Sequence, residues 1–282
     1  MEEIWSNTDF PYMCLKDEIR TKAFYEAIKK KVKKGDVVVE IGAGSGILSM
    51  FAAEFGARHV YAVEIEHSLA DALKRSAKHN GLDKVITVVE GDVFKVNLPK
   101  KADVLIAELI ETGLMDELQV PAINHLKKSD IVDRNTKYIP EQYKTNMQLV
   151  YSDNIYYGYK VVAPKHEWPF YSKTNANWWQ TSIVAVSNVV EVCHVDFSEP
   201  QIEKRVEKIV TFRLNKGKTA NGLRISGIVT LAAGVELGPT NALNGDKILD
   251  LEPISGVDMV GLKVSYKMGG GLGLLKVTRV TG

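Results

Sequence analysis

The sequence predicts a mixed α/β protein in two parts: a sheet of parallel strands with crossover helices, followed by a β-rich, barrel-like domain. In the first half, strand-like apolar runs alternate with segments of helical periodicity, as in parallel strands joined by helices. After Pro140, long helical periods give way to short β-rich runs separated by turn residues. A chain of 282 residues is long enough for two modest domains. We therefore predict one domain over residues 1–140 and a second over residues 141–282.

The first half begins with a predicted helix between Asp17 and Gly35, where apolar residues recur at helical spacing. Four buried strands follow, at Val37–Ile41, His59–Ile65, Val85–Val89 and Asp103–Ala107. Two helices connect the first three strands, and each ends at a glycine suited to a helix C-cap, Gly56 or Gly81. This order predicts consecutive α/β units in one sheet.

Short β runs with intervening turns characterise the second half. The predicted strands are Lys144–Tyr151, Ile209–Leu214, Arg224–Leu231, Leu262–Lys267 and Leu274–Val280. Turn residues at 215–217, 244–246 and 269–271 separate or end these runs. The pattern indicates an antiparallel barrel or sandwich.

Composition excludes several classes of protein. With 36 Lys and Arg against 35 Asp and Glu, the net charge of +1 creates no overall field that attracts nucleic acid or an anionic membrane. No apolar run reaches the length of a membrane span, and the N-terminus lacks a signal-peptide pattern. Two distant cysteines argue against a disulfide framework, and six scattered histidines predict no metal site. We predict a cytoplasmic protein without a membrane partner.

Three glycines, Gly42, Gly44 and Gly46, join the first strand to the next helix. Glycine at these positions lets the backbone approach a ligand and directs helix N–H groups towards it, although a purely structural turn is the alternative. Glu64 ends the second strand, where a carboxylate can accept hydrogen bonds from a ribose diol. Asp92 follows the third strand and is placed to accept from the exocyclic amine of adenine. The spacing G-x-G-x-G, instead of G-x-G-x-x-G, disfavours a nicotinamide dinucleotide.

Two glutamates follow the fourth strand, Glu108 directly and Glu117 nine residues later. On a straight helix they would lie about 13.5 Å apart, so meeting at one ligand requires the chain to fold back, and Gly113 allows a turn. Two adjacent carboxylates are costly without a shared cation, and a planar guanidinium suits such a pair. The alternative is that these acids merely decorate a solvated helix start.

Two sets of residues resemble known families. Glu40, the glycine turn, Glu64 and Asp92 together resemble class I S-adenosylmethionine-dependent methyltransferases. The strings MCLKDEIRT (13–21) and ILSMFAA (47–53), with two glutamates nine residues apart, resemble the protein arginine N-methyltransferase family over about residues 11–140. The resemblance implies a Rossmann-like core, S-adenosylmethionine as cofactor, S-adenosylhomocysteine as product, and methyl transfer to a guanidinium nitrogen held by Glu108 and Glu117.

The resemblance also assigns the cofactor contacts. It implies that Arg20 binds the carboxylate of S-adenosylmethionine, Glu64 the ribose, and Asp92 with Val93 the adenine. The predicted cofactor-binding residues are Arg20, Glu40, Gly42, Gly44, Gly46, Glu64, Ile65, Asp92 and Val93. It further implies a protein or peptide substrate containing arginine, and a homodimer.

The chain departs from the family pattern around the expected acceptor. Family aromatic and methionine positions are occupied here by Cys14, Leu109, Ile110, Thr112 and Gln119. The N-terminal aromatic helix of the family is expected to be short or missing. The histidine of the family's Thr-His-Trp loop is absent from both stretches that could correspond to it, residues 176–181 and 240–242.

These departures leave two alternatives open. One is an RNA or small-molecule methyltransferase with the same cofactor site, and the other is a catalytically silent S-adenosylmethionine-binding module. Methyl transfer to arginine remains the preferred interpretation.

Overall fold

The structure, a computed structural model, describes residues 9–98, 101–169 and 183–280. Five strands form the first sheet: β1 (Val37–Ile41), β2 (His59–Glu64), β3 (Ile86–Glu90), β4 (Val104–Ala107) and β5 (Lys137–Ile139). They are all parallel and lie in the order β3-β2-β1-β4-β5. The first four strands match the sequence prediction to within one residue at each end, whereas β5 was not predicted.

Five helices accompany this sheet: α1 (Phe10–Lys16), α2 (Glu18–Lys31), α3 (Ile47–Glu54), α4 (His67–His79) and α5 (Gln119–Lys128). Helix α2 ends before the predicted Gly35 because Val32 already has extended backbone angles, φ −74° and ψ 133°. Among the described residues, no helix combines the length and apolar character needed to cross a membrane.

The second half consists of antiparallel strands. They are β6 (Gln142–Ser152), β7 (Ile155–Tyr156), β8 (Tyr159–Lys160), β9 (Lys165–Glu167), β10 (Ile183–Asp196), β11 (Arg205–Arg213), β12 (Ala220–Ala232), β13 (Val235–Leu237), β14 (Asp246–Ile254), β15 (Met259–Lys267) and β16 (Lys276–Arg279). The larger sheet has the order β10-β6-β12-β14-β9, with β13 beside β12, and a second sheet has the order β11-β15-β16. A parallel sheet followed by β-rich sheets confirms the predicted fold class. The division into domains at residue 140 stays a prediction.

Burial follows the two strand patterns of the sequence. Strands β1 and β4 are buried at every residue, as expected for central parallel strands covered on both faces. Strands β6 and β12 alternate between buried and partly exposed residues over most of their length, so one face of their sheet contributes to the core. Tyr143 and Phe212 are among the largest fully buried side chains.

The register of the parallel sheet fixes where the functional residues emerge. Ile41 of β1 lies opposite Val63 of β2 and Ala107 of β4. The next residues along the three strands, Gly42, Glu64 and Glu108, therefore lie at the same carboxyl edge of the sheet. Ligands of open α/β sheets bind at this edge.

Candidate active site

A cavity lies at the carboxyl edge of the parallel sheet. Its lining includes seven of the predicted site residues: Arg20, Glu40, Gly42, Gly44, Glu64, Glu108 and Glu117. It also includes residues that the sequence analysis did not select, among them Phe10, Pro11 and Ser45.

All three glycines of the glycine turn have positive φ. At each of them, a different neighbouring group also explains why glycine is suited to the position. A Cβ on Gly42 would lie 2.5 Å from Leu109 Cδ2 and 3.2 Å from the Glu108 carbonyl oxygen. A Cβ on Gly46 would lie 2.5 Å from Leu73, so this glycine serves packing against α4 and does not line the cavity. Gly44 faces Pro11 of α1, and its N–H donates to Glu64 Oε2 at 2.7 Å.

Glu64 is held in place by backbone donors. Its Oε2 accepts from Gly44 and its Oε1 accepts from the N–H of Glu66 at 2.9 Å. The residue is 2% exposed. Each carboxylate oxygen keeps a second lone pair, so Glu64 can also accept a hydrogen bond from a ligand hydroxyl.

Glu40 lies beneath the glycine turn, where it accepts a hydrogen bond from the hydroxyl of Ser49 on α3. Burial is the largest of the causes that together raise the pKa of this carboxyl to about 8; the hydrogen bond from Ser49 and the charge of Arg20 lower it, and the carboxylates Glu64 and Glu108 contribute to the rise. Glu40 therefore carries a proton at a higher pH than an ordinary glutamate.

Arg20 projects from the first turn of α2, where its backbone N–H donates to the capping carboxylate of Asp17 at 3.1 Å. Its Nη2 forms an ion pair with Glu108, and both side chains are largely buried. The Nε–H of Arg20 is buried and has no hydrogen-bond partner among the described residues. A guanidinium with a free donor suits the carboxylate of the predicted cofactor.

Residues 108–118, here called the acidic loop, fold back at a 3₁₀ turn in which Gly113 has φ 76° and Leu114 has φ 56°. Gln119 closes the two ends of this loop. Its Nε2 donates to the carbonyl of Ala107 at 2.8 Å, and its Oε1 accepts from the N–H of Leu109 at 2.9 Å. The loop thereby brings Glu108 and Glu117 to the wall of one cavity.

Glu117 differs from Glu108 in its surroundings. Burial raises its pKa well above the ordinary value, and Glu108 and Glu111 raise it further. Glu117 has no ion pair and no hydrogen bond within the part of the chain that the structure describes. The carboxylate is therefore ready to receive a cation or a proton.

Residues of the antiparallel half hold the acidic loop in place through ion pairs and hydrogen bonds. Lys247 of β14 is buried and forms ion pairs with Glu111 and Asp116. The phenol oxygen of Tyr143 accepts from the N–H of Gly113 at 2.8 Å. In the segment 269–272, three backbone N–H groups donate to Leu114, Met115 and Asp116.

A second cavity adjoins the first and shares Phe10, Ile110 and Glu117 with it. Its other walls include His166 and Trp168 at and beyond β9, whose rings lie 4.4 Å apart between centroids. Residues 240–242, one of the two stretches considered for the family's histidine, contain none, and the other stretch, residues 176–181, lies outside the described residues. The structure brings His166 there from a different strand.

Helix α1 is short, as one of the two expectations for the N-terminal helix had it. It is seven residues long and contributes Phe10, Pro11 and Cys14 to the cavity wall. Four residues predicted to bind the cofactor, Gly46, Ile65, Asp92 and Val93, are not in that wall. Asp92 instead accepts from the N–H of Phe94 at 2.9 Å and pairs with Lys95 at 3.2 Å. For Ile65, Asp92 and Val93 the assignment to the cofactor stays a prediction.

Among the described residues, one group has ligand atoms close enough to hold a metal: His67, Asp71 and Glu90, of which Asp71 is partly buried. The ammonium of Lys74 lies 3.1 Å from Asp71 and 3.0 Å from Glu90, and it forms ion pairs with both carboxylates. Lys74 is therefore the cation of this group in the structure. The expectation of no metal stays a prediction.

The charges of the first cavity suit the predicted cofactor. Its lining carries four glutamates and one arginine, so it favours a ligand with positive centres such as a sulfonium and an ammonium. Arg20 provides the donor for a carboxylate, and Glu64 provides the acceptor for a ribose hydroxyl.

This chain is similar in sequence to one family model and to individual known proteins. A family model described as ribosomal protein L11 methyltransferase (PrmA) matches residues 20–150. An uncharacterized protein of Methanocaldococcus jannaschii, MJ1452, is 30% identical over 269 residues, which cover 94% of this chain and 95% of that protein. A probable histone-arginine methyltransferase CARM1 of Oryza sativa subsp. indica is 47% identical over 105 residues, which are 36% of this chain and 20% of that protein.

A solved structure extends the likeness to both halves of the fold. The PRMT1 enzyme-prozyme heterotetrameric complex of Trypanosoma brucei with AdoHcy aligns with a TM-score of 0.74, covering 98% of this chain and 99% of that chain at 19% identity. The cofactor of this class of enzyme is S-adenosylmethionine. The chain therefore belongs to the same family as the Methanocaldococcus protein, and it is a class I S-adenosylmethionine-dependent methyltransferase that resembles the protein arginine methyltransferases.

Proposed function

We propose that this enzyme transfers a methyl group to a guanidinium nitrogen of an arginine side chain in a protein or peptide, and that Glu108 and Glu117 hold this guanidinium. The observation that carries the proposal is Glu117: a carboxylate without a partner among the described residues, at the junction of two cavities. The neighbouring Glu108 already pairs with a guanidinium, that of Arg20. Besides Arg20, one further cation can therefore bind beside Glu108 and Glu117.

The chemistry follows from the arrangement of charges. S-adenosylmethionine supplies an electrophilic methyl group on a positive sulfonium. Two carboxylates at one face of a guanidinium draw its positive charge towards them and leave one nitrogen better able to attack. As the N–CH₃ bond forms, that nitrogen must lose a proton, and the Glu117 carboxylate, which pairs with the guanidinium in this proposal, can accept it. Arg20 fixes the position of Glu108.

Glu108→Gln and Glu117→Gln test the proposal. Each variant keeps the size of the side chain and loses the negative charge, so the guanidinium loses its orientation and its proton acceptor. We expect incorporation of labelled methyl groups into protein to fall by about a hundredfold or more. Binding of S-adenosylmethionine by Glu117→Gln, measured by titration calorimetry, is expected to persist.

The matched control is Glu252→Gln on β14, where the side chain is exposed and far along the chain from the acidic loop. Protein and RNA fractions of a lysate are analysed separately after labelling. Full turnover in both cavity variants contradicts the proposed roles, and label confined to RNA contradicts the arginine substrate. Cofactor binding without any incorporation points to a silent binding module. The homodimer implied by the resemblance stays a prediction.

A further inference from the structure

A third cavity, which the proposed reaction does not use, lies at the other edge of the parallel sheet. Its volume is about 540 Å³, within the range of small-molecule sites. Four lysines line what is here called the lysine cavity: Lys30, Lys31, Lys33 and Lys137. Because Lys137 is the first residue of β5, this cavity lies at the amino edge of the sheet, whereas the cofactor cavity lies at the carboxyl edge.

These lysines come from separate parts of the chain. Lys30 and Lys31 belong to the last turn of α2, where the negative end of the helix dipole favours cations. Lys33 follows the helix, and β5 brings Lys137 to the same cavity. The helix dipole therefore does not explain all four ammonium groups, and gathering like charges is unfavourable without anions between them.

The pKa of Lys31 shows the effect of these surroundings. Burial is the main cause that lowers this pKa, and the ammonium of Lys137 contributes to the lowering. The carboxylates of Glu141 and Asp196 act in the opposite direction. A further anion in the lysine cavity would therefore stabilise the charged form of Lys31.

Two of the four lysines have acids of their own. The ammonium of Lys31 lies 2.6 Å from Glu141 Oε1, and that of Lys137 lies 2.8 Å from Asp36 Oδ2. Each pair is neutral as a unit. Lys31 and Lys137 therefore add no net charge for a ligand.

A third acid, Asp196, also lines the cavity. Its carboxylate accepts hydrogen bonds from the Ser198 hydroxyl at 2.6 Å and from Gln142 Nε2 at 3.2 Å. The ammonium of Lys127 on α5 donates to the carbonyl of the next residue, Phe197, at 2.7 Å, and the charge of Asp196 raises the pKa of Lys127 against the effect of burial. Asp196 therefore has a cation near it as well.

Lys30 and Lys33 remain without an acid. Lys30 Nζ donates to the carbonyl of Ala233 at 2.9 Å, and Lys33 Nζ donates to the carbonyl of Lys30 at 2.8 Å. Neither ammonium forms an ion pair with a residue of the described chain. An ammonium has three donors, so each of the two keeps donors for a ligand. These two positive charges are the uncompensated charge of the cavity.

We infer that the lysine cavity binds a small phosphate monoester, and that Lys30 and Lys33 hold its phosphate group. A phosphate monoester carries about −1.5 to −2 charges at pH 7, which matches two ammonium groups without acids, and its three terminal oxygens accept the free N–H donors.

The rest of the lining favours a sugar phosphate over a nucleotide. Thr136, Gln142 and Ser198 add polar side chains to the wall, and these suit ligand hydroxyl groups. Among the described residues that line the cavity, none is aliphatic, and the aromatic one, Tyr138, is 4% exposed. A planar base would therefore find little surface on which to stack.

A long polyanion such as RNA is the competing ligand, because lysines also bind nucleic-acid phosphates. Glu141 and Asp196 line the same cavity and would repel successive phosphates. The net charge of the chain, +1, provides no wider attraction for such a ligand. The charges therefore favour a single phosphate group.

Calorimetric titrations of the enzyme saturated with S-adenosylhomocysteine test this inference. The probes are D-ribose 5-phosphate, D-ribose, AMP and an oligouridylate, and S-adenosylhomocysteine keeps AMP out of the cofactor cavity. We expect D-ribose 5-phosphate to bind at millimolar concentration or below and D-ribose not to bind. AMP is expected to bind no more tightly than D-ribose 5-phosphate.

The double variant Lys30→Gln with Lys33→Gln removes the two charges assigned to phosphate binding. Both residues are exposed, so the variant should fold, and its Tm checks this. We expect the Kd for D-ribose 5-phosphate to rise about tenfold or more. The matched control is Lys29→Gln with Lys34→Gln, which removes the same charge at two exposed residues of the same run outside the lining. Its Kd should stay within about twofold, because salt screens exposed charges.

The other outcomes overturn the inference in distinguishable ways. Absence of D-ribose 5-phosphate binding, or equally tight binding of D-ribose, excludes a phosphate site. Equal losses of affinity in the two double variants show that overall charge, not the cavity, attracts the ligand. Tighter binding of AMP excludes the sugar phosphate, and an oligouridylate that binds more tightly and displaces D-ribose 5-phosphate assigns the cavity to RNA. The proposed methyl transfer is independent of all these results.

Discussion

Single ionisable residues in the cofactor cavity have pKa values set by burial. Glu40 is 1% exposed and Glu117 lies between two further acids, so for both residues the uncharged form is favoured. Only Arg20 provides a positive charge among the residues that line this cavity. A cation bound beside these acids therefore stabilises their charged forms and lowers their pKa values.

Glu40→Gln should change how the stability of the protein depends on pH. Unfolded Glu40 titrates near 4.5 and folded Glu40 near 8, so between these values the folded protein keeps a proton that the unfolded chain has lost. The free energy of unfolding should then decrease as pH rises from about 5 to 8. Glu40→Gln lacks this contribution, and urea denaturation without cofactor should show a flatter dependence. Parallel wild-type and variant curves would refute the assigned pKa.

At the scale of elements, the glycine turn after β1 and the acidic loop after β4 depend on each other. Gly42 follows β1 and Leu109 belongs to the loop after β4. These two residues meet because β1 and β4 are neighbouring strands whose ends lie side by side. Gln119 at the start of α5 then fixes both ends of the acidic loop to the strand. The cofactor and acceptor sides of the site are thus built by adjacent elements.

Gly42→Ala should weaken cofactor binding by displacing the acidic loop. Its Cβ would overlap Leu109 Cδ2, and the positive φ of 73° adds strain of about 1–2 kcal/mol. We expect the Kd for S-adenosylhomocysteine, measured by calorimetry, to rise at least about tenfold. Gly81→Ala is the matched control, because Gly81 has φ 66° but open space around the added Cβ. Equal affinity losses in both variants would show that strain, not the contact with Leu109, matters.

At the scale of the whole molecule, the active site is completed by the antiparallel sheet. Lys247, Tyr143 and the segment 269–272 all contact the acidic loop, although they lie far from it in sequence. The helix α2 also contacts this half, since Lys30 Nζ donates to the carbonyl of Ala233 at 2.9 Å. The acidic loop is therefore supported by both halves of the chain.

Lys247→Met should test how strongly the two halves are coupled. The variant leaves Glu111 and Asp116 without their cation, and breaking a buried ion pair costs about 3 kcal/mol. Urea denaturation should show this loss of unfolding free energy. The double variant Lys247→Met with Glu111→Gln removes the buried negative charge as well and should recover part of it. A single variant as stable as the wild type would exclude this coupling.

Several features of the fold and site were predictable because their signals are local. Four strands of the parallel sheet follow from apolar runs, and the strand ends at Ile41, Val63 and Ala107 place the glycine turn, Glu64 and Glu108 together. The return of the acidic loop follows from Gly113. The sequence analysis missed β5, which is only three residues long. It also interpreted Gln119 only as a replaced methionine, because its role in closing a loop has no periodic pattern.

By itself, the sequence determined the order of the elements, the edge of the sheet where the ligand binds, and the two glutamates that follow β4. Only the tertiary structure decided that Arg20 pairs with Glu108 and that Glu117 has no partner in the described chain. It also brought His166 and Asn244 beside Glu117, and paired Lys247 with Glu111. The physical reason is how far apart in the sequence the interacting residues lie. Backbone periodicity and glycine turns act between near neighbours in the chain, whereas these side-chain contacts join residues about a hundred positions apart and form only when distant strands pack.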